Sequence, residues 1–96
     1  MTFEEFNATL KQQQPPAGTA PLLQALWFDA KGQWDKAHDI AQDIHTDEGS
    51  WVHAYLHRRE GDLGNAGYWY RLAHKPACQK GLSDEWKDIV TDLLQH

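Results

Sequence analysis

Three side chains suited to metal binding lie close together in the second half of the sequence. His53 and His57 are four residues apart and Glu60 follows three residues later, so on a helix all three lie on neighbouring turns. Two imidazoles at this spacing can both reach one metal ion, and a carboxylate can complete a three-ligand site for a divalent ion such as Zn²⁺. His38, in the preceding predicted helix, could face them. The pattern supports a small metal-binding protein, with or without hydrolytic activity, although the HExxH order of the zinc proteases is missing.

The same histidines have a structural alternative. The apolar residues of this predicted helix, such as Val52 and Leu56, point away from His53 and His57. Both faces can be used only if the helix is central and contacted on two sides, which is what we expect. The histidines would then form a polar seam inside the molecule, in which every buried donor needs a partner.

Aromatic and arginine side chains lie on another face of the same predicted helix. At about 100° per residue, Trp51, Tyr55, Arg58 and Arg59 share one side. Two arginines beside two aromatic rings could clamp a carboxylate bidentately while the rings pack on an apolar neighbour. The alternative is that Trp51 and Tyr55 belong to the core and that Arg58 pairs with Asp62 one turn further on.

A second aromatic stretch follows, and it contains Trp69 and Tyr70. Trp69 is a candidate for contact with a partner; the alternative is that both rings pack against the neighbouring helices. Cys78 is the single cysteine, so the sequence allows no intramolecular disulfide and favours a reducing compartment. Neither an orienting group nor an oxyanion site is recognisable near Cys78, and we therefore expect a protein that is not an enzyme.

The composition is that of one small acidic domain. The 96 residues include nine Lys and Arg against fourteen Asp and Glu, for a formal charge of −5. This balance argues against binding to nucleic acid or to an anionic membrane, since both need a dense basic face. No apolar run approaches the ~18 residues of a membrane span, and the first residues carry acids where a signal peptide carries bases. We expect a cytoplasmic protein.

Apolar spacing predicts an all-α fold of about six helices and no strand. A capping box of Thr2 and Glu5 opens the first helix, and Gly32 and Gly61 are suited to end the second and fourth. Four of the predicted helices run approximately over residues 2–13, 34–45, 47–60 and 63–74; the second begins near residue 21 and the last opens at residue 83.

The middle of the chain contains an internal repeat. A shift of 29 residues aligns small residues and turn glycines, which would let two antiparallel helices approach closely. The aligned pairs are Ala25 with Ala54, Gly32 with Gly61, and Ala37 with Ala66. Two helical hairpins in tandem are therefore expected.

This pattern resembles the tetratricopeptide-type helical hairpin over residues 21–76, although the usual period of that family is about 34 residues. The resemblance implies a first hairpin over 21–46 and a second over 47–76. The N-terminal helix and Pro-rich linker (1–20) and a C-terminal capping helix (77–96) would flank them in one helical domain.

The resemblance also suggests a function, because the first helix of each tetratricopeptide hairpin lines a concave groove. The positions of Trp51, Tyr55, Arg58 and Arg59 match groove-facing ones. The leading hypothesis is therefore a non-enzymatic module that binds a protein or peptide segment through these residues and Trp69. The alternatives are the metal-binding protein described above and a structural homodimer that uses some of the five tryptophans.

Overall fold

Residues 1–95, which the computed structural model describes, form an all-α bundle of six helices, and no strand occurs in that range. The all-α prediction is confirmed. A 3₁₀ turn, Thr9–Lys11, continues the first helix. The helices are α1 (Phe3–Ala8), α2 (Pro21–Ala30), α3 (Trp34–Ala41), α4 (Asp47–Glu60), α5 (Leu63–Leu72) and α6 (Leu82–Leu94). None of these six helices is long and apolar enough to cross a membrane.

Local sequence accounts for several helix ends. The Thr2 and Glu5 capping box is formed as predicted. The Thr46 side chain caps α4 by accepting from the Gly49 N–H, and α4 ends at Gly61, whose φ of 91° is in the left-handed region that suits glycine. The Asp62 side chain then caps α5 by accepting from the Asn65 N–H. Only two residues thus join α4 to α5.

Helix α4 is the central element of the bundle. It packs against α5 to form one hairpin, and it also contacts α2, α3 and α6. Its Val52, Ala54 and Leu56 side chains are fully buried. The other hairpin, α2 with α3, packs on one side of α4, while α6 covers another. The prediction of a helix contacted on more than one face is therefore confirmed, and this arrangement buries the α4 histidines.

Three predicted helices are longer than the observed ones. Regular α1 stops at Ala8 and continues only as a 3₁₀ turn. Helix α3 ends at Ala41, because the chain must turn within five residues to begin α4. Helix α5 ends at Leu72, and His74 two residues later has a φ of 60° that no right-handed helix allows. The last helix begins one residue earlier than predicted.

Two glycines, one on α4 and one on α5, provide a matched test of how closely the α3–α4 link approaches α4. A Cβ on Gly49 would clash with the backbone carbonyl oxygen of Ile44, whereas a Cβ on Gly64 would meet nothing within 4 Å. Gly64→Ala is expected to stabilise the protein by about 0.5–1 kcal/mol through helix propensity. Gly49→Ala is expected to destabilise it by about 1–3 kcal/mol, because the α3–α4 link must shift. Urea denaturation of both variants measures the difference, and equal effects would contradict the close approach.

Candidate histidine site

Three histidines from two helices meet on one side of α4. His38 extends from α3, and His53 and His57 lie one turn apart on α4. One ring nitrogen from each lies within 4.8 Å of the other two, and the Nε2 atoms of His38 and His53 are 3.0 Å apart. His53 and His57 are buried, while His38 is half-buried. These three residues are called the histidine cluster below.

Two tryptophans hold the rings of the histidine cluster. The Trp34 ring stacks on His38 with centroids 4.9 Å apart, and the Trp69 ring stacks on His53 at 3.9 Å. Trp34 is itself fixed, since its indole N–H donates to the Leu56 carbonyl at 2.7 Å. Stacking on both sides leaves the imidazoles little freedom to rotate, so their nitrogens keep a defined orientation.

Glu60 orients His57, the third histidine, through the ring nitrogen Nδ1. Its carboxylate lies 2.7 Å from Nδ1 of His57, which favours a proton on Nδ1 and a lone pair on Nε2. Asn65 Nδ2 is 3.4 Å from that Nε2 atom. The sequence hypothesis used Glu60 as the third ligand beside His53 and His57. In the structure the third imidazole near them is that of His38, and the Glu60 carboxylate contacts the opposite nitrogen of His57.

The surroundings keep two of these imidazoles uncharged near neutral pH. Burial, together with the neighbouring His38 and His57, lowers the pKa of His53 to about 4. Burial and His57 also lower the pKa of His38, against a smaller opposing effect of Asp39. A neutral imidazole has the lone pair that a metal ion needs.

Acid is expected to destabilise the metal-free protein through His53. Its neighbours are His38 from α3, His57 on α4 and Trp69 from α5, and none of them supplies a negative charge. Because the folded pKa is about 4 against 6.5 for a free imidazole, the unfolded chain takes up the proton first as the pH falls below 6.5. Between pH 7 and pH 5 the free energy of unfolding is therefore expected to fall by about 2 kcal/mol through His53.

Urea denaturation in the presence of a chelator, at pH 7 and pH 5, measures this loss. His53→Gln should remove most of the pH dependence, while the exposed His45→Gln should leave it unchanged. If His53→Gln and the unmodified protein lose the same free energy of unfolding, another group is responsible.

The predicted aromatic and arginine groove is occupied by internal contacts. Tyr55 is only 1% exposed, so the prediction that it lines an open groove is wrong. Arg58 pairs with Glu85 at 2.8 Å and not with Asp62, and Arg59 pairs with Asp29 at 3.0 Å. The two guanidinium groups are held by different carboxylates instead of forming one clamp.

The tryptophans named with that groove also make internal contacts. The Trp51 indole N–H donates to the Glu85 carboxylate at 3.2 Å, and Trp69 is half-buried against His53. Part of each ring is accessible. The alternative weighed for the aromatic residues, that they belong to the packing of the bundle, describes their contacts better.

Glu85 was assigned no role in the sequence analysis. Glu85 is 1% exposed. Its carboxylate accepts hydrogen bonds from Tyr70 Oη at 2.6 Å, from Arg58 and from Trp51. Arg58 also donates to the Lys80 carbonyl. This network ties α4, α5 and α6 together around one buried charge, and a cluster of acidic and aromatic residues at these separations gives no local signal in the sequence.

Comparison of the chain with protein-family models, with curated proteins and with solved structures found no match in any of the three. The resemblance to tetratricopeptide hairpins therefore stays a prediction, and the function must be argued from the site itself.

Proposed function

We propose that this protein binds one divalent transition-metal ion, such as Zn²⁺, through the Nε2 atoms of His38, His53 and His57. The observation that carries the proposal is the convergence of three imidazoles from two helices within 4.8 Å. Glu60 would act as the carboxylate that orients a ligating histidine, an arrangement common around zinc.

The distances between the ring nitrogens suit an ion of the size of Zn²⁺. Zn–N bonds of about 2.0–2.1 Å require nitrogen atoms about 3.3 Å apart in a tetrahedral site. The His38 and His53 nitrogens, at 3.0 Å, are already close to that separation. The other nitrogen pairs lie within 4.8 Å of one another, so on binding they would have to approach by at most about 1.5 Å.

The donor set favours zinc and its neighbours over hard cations. Imidazole suits Zn²⁺, Cu²⁺ and Ni²⁺, whereas Mg²⁺ and Ca²⁺ require oxygen ligands. Three protein ligands leave a fourth position for water or an external ligand. Asn65, whose amide lies near His57 Nε2, could hydrogen-bond to a water bound there.

The ion would also join the two hairpins. His38 belongs to the α2–α3 hairpin and the other two ligands belong to the α4–α5 hairpin. In the absence of metal, the contact between the His38 and His53 Nε2 atoms requires one of them to carry the proton. Metal binding would move that proton to Nδ1 and replace one hydrogen bond by three coordinate bonds.

Isothermal titration calorimetry with Zn²⁺ tests the proposal on protein produced without a histidine tag. One equivalent of Zn²⁺ is expected to bind at pH 7, and single His→Gln changes at positions 38, 53 and 57 should each weaken binding by at least about a hundredfold. Glu60→Gln should weaken it by about 10–100-fold. His45→Gln is the matched control. Unchanged affinity in the three cluster variants would contradict the proposal.

Binding of a protein or peptide segment through Trp51, Arg58, Arg59 and Trp69 stays a prediction, as do a tetratricopeptide-like relationship, a homodimer and a cytoplasmic location. The geometry supports the groove less well, because Tyr55 is buried and the two arginines are held by different carboxylates. Light scattering tests the homodimer. For the groove, charge reversal of Arg58 should cost much stability if Glu85 is its main partner, and little if the arginine serves a partner molecule.

A further inference from the structure

We infer that a cavity beside Arg59 binds a small apolar monocarboxylate. The cavity has a volume of about 420 Å³ and lies between α1, the ends of α2 and α4, and the start of α6. Its volume is within the usual range of small-molecule sites. It does not include the histidine cluster, so this inference is independent of metal binding.

Arg59 forms an ion pair with a buried carboxylate. Its Nε atom lies 3.0 Å from Oδ1 of Asp29, a carboxylate that is 1% exposed. The buried Tyr55 hydroxyl adjoins both groups. Meanwhile, 41% of the Arg59 side chain is exposed. A guanidinium fixed at Nε still offers N–H groups at its outer end, and these can pair with a ligand carboxylate.

The other lining residues define the rest of the ligand. Phe3, Leu10 and Trp86 form an apolar wall, and the Phe3 and Trp86 rings are already in edge contact at 5.7 Å. A flat apolar body would pack on this wall while its charged end reaches Arg59. An aromatic ring joined to a carboxylate by a short chain has both features.

The charges around the cavity favour a ligand with one negative charge over a ligand with two. Lys87 adds a second cation, whose Nζ lies 5.1 Å from the centre of the Phe3 ring. Asp84 and the buried Asp29 balance the two cations. A phosphate or dicarboxylate would bring more negative charge towards Asp84 and Asp29 than a monocarboxylate, which needs only one ion pair with the outer N–H groups of Arg59.

Titration of the full chain with 3-phenylpropanoate, followed by ¹H–¹⁵N correlation spectra, tests the inference. The expected Kd is about 1 mM or lower, with the shifts centred on the N–H groups of Phe3, Arg59 and Trp86. The uncharged 3-phenylpropanamide should bind at least about tenfold more weakly. Equal affinity for the acid and the amide would overturn the inference, as would no shift with the acid at millimolar concentration.

Variants identify the group that recognises the carboxylate. Arg59→Gln should weaken binding of 3-phenylpropanoate at least about tenfold. Because this change leaves Asp29 buried without its cation, the double variant Asp29→Asn with Arg59→Gln restores a neutral pair and should lose the same affinity. Arg71→Gln, an exposed change on α5, is the control. Full affinity in the double variant would assign the carboxylate to another residue and overturn the inference.

Discussion

Zn²⁺ is expected to raise the Tm of the metal-free protein by about 10–20 °C when its free concentration is a hundred times the Kd. An ion that binds the folded chain alone at this excess stabilises it by about 2.7 kcal/mol, and each kcal/mol is worth about 4–8 °C in a domain of this size. The stabilisation is expected because the ion joins His38 on α3 to His53 and His57 on α4. Thermal unfolding followed by circular dichroism measures the shift.

The zinc-dependent shift in Tm, and not Tm itself, is the quantity to compare among variants. His53→Gln and His57→Gln change buried residues and will alter the stability of the metal-free chain. Their zinc-dependent shift should nevertheless fall to near zero. His45→Gln should keep the full shift. A shift of normal size in His53→Gln would mean that zinc stabilises the protein from another site.

Loss of the Glu85 carboxylate is expected to be the most damaging single change outside the histidine cluster. Glu85→Ala removes the partner of Arg58, Tyr70 and Trp51 at once. Removal of one partner of a buried ion pair costs about 3–5 kcal/mol, and the cost is a large fraction of the 5–15 kcal/mol that stabilises a typical domain. Urea denaturation measures the change in the free energy of unfolding.

Two further variants separate the charge from the hydrogen bonds. Glu85→Gln keeps the shape and one good acceptor, so it should cost less than Glu85→Ala. Asp84→Ala, one residue earlier in α6, removes an exposed acid and should cost at most about 1 kcal/mol. A loss below about 1 kcal/mol for Glu85→Ala would contradict the structural importance of the network.

The presence of the helices could be predicted from the sequence, because it depends on the types and spacing of neighbouring residues. The Thr2 and Glu5 capping box and the glycine at position 61 were recognisable from residue type and spacing. The ends of α3 and α5 could not be predicted, because they depend on how the chain reaches the next helix. The start of α6 at Leu82 could not be predicted either, because no side chain caps it.

The candidate site was recognisable only in part. The spacing of His53 and His57 places both on one face of a helix, but nothing local indicates that His38 lies 3.0 Å from one of them. The distance depends on the packing of α3 against α4. For the same reason the sequence suggested that Arg58 and Arg59 act together, whereas Glu85 and Asp29 reach them from different helices.

Nuclear magnetic resonance of the histidine side chains tests the central claim most directly. Long-range ¹H–¹⁵N spectra of the labelled protein report the state of every imidazole nitrogen during titration with Zn²⁺. The metal-bound Nε2 signals of His38, His53 and His57 should appear together and saturate at one equivalent, while His45 and His74 keep their metal-free signals. Saturation at one equivalent on any other set of histidines, or no change at the cluster, would contradict the account.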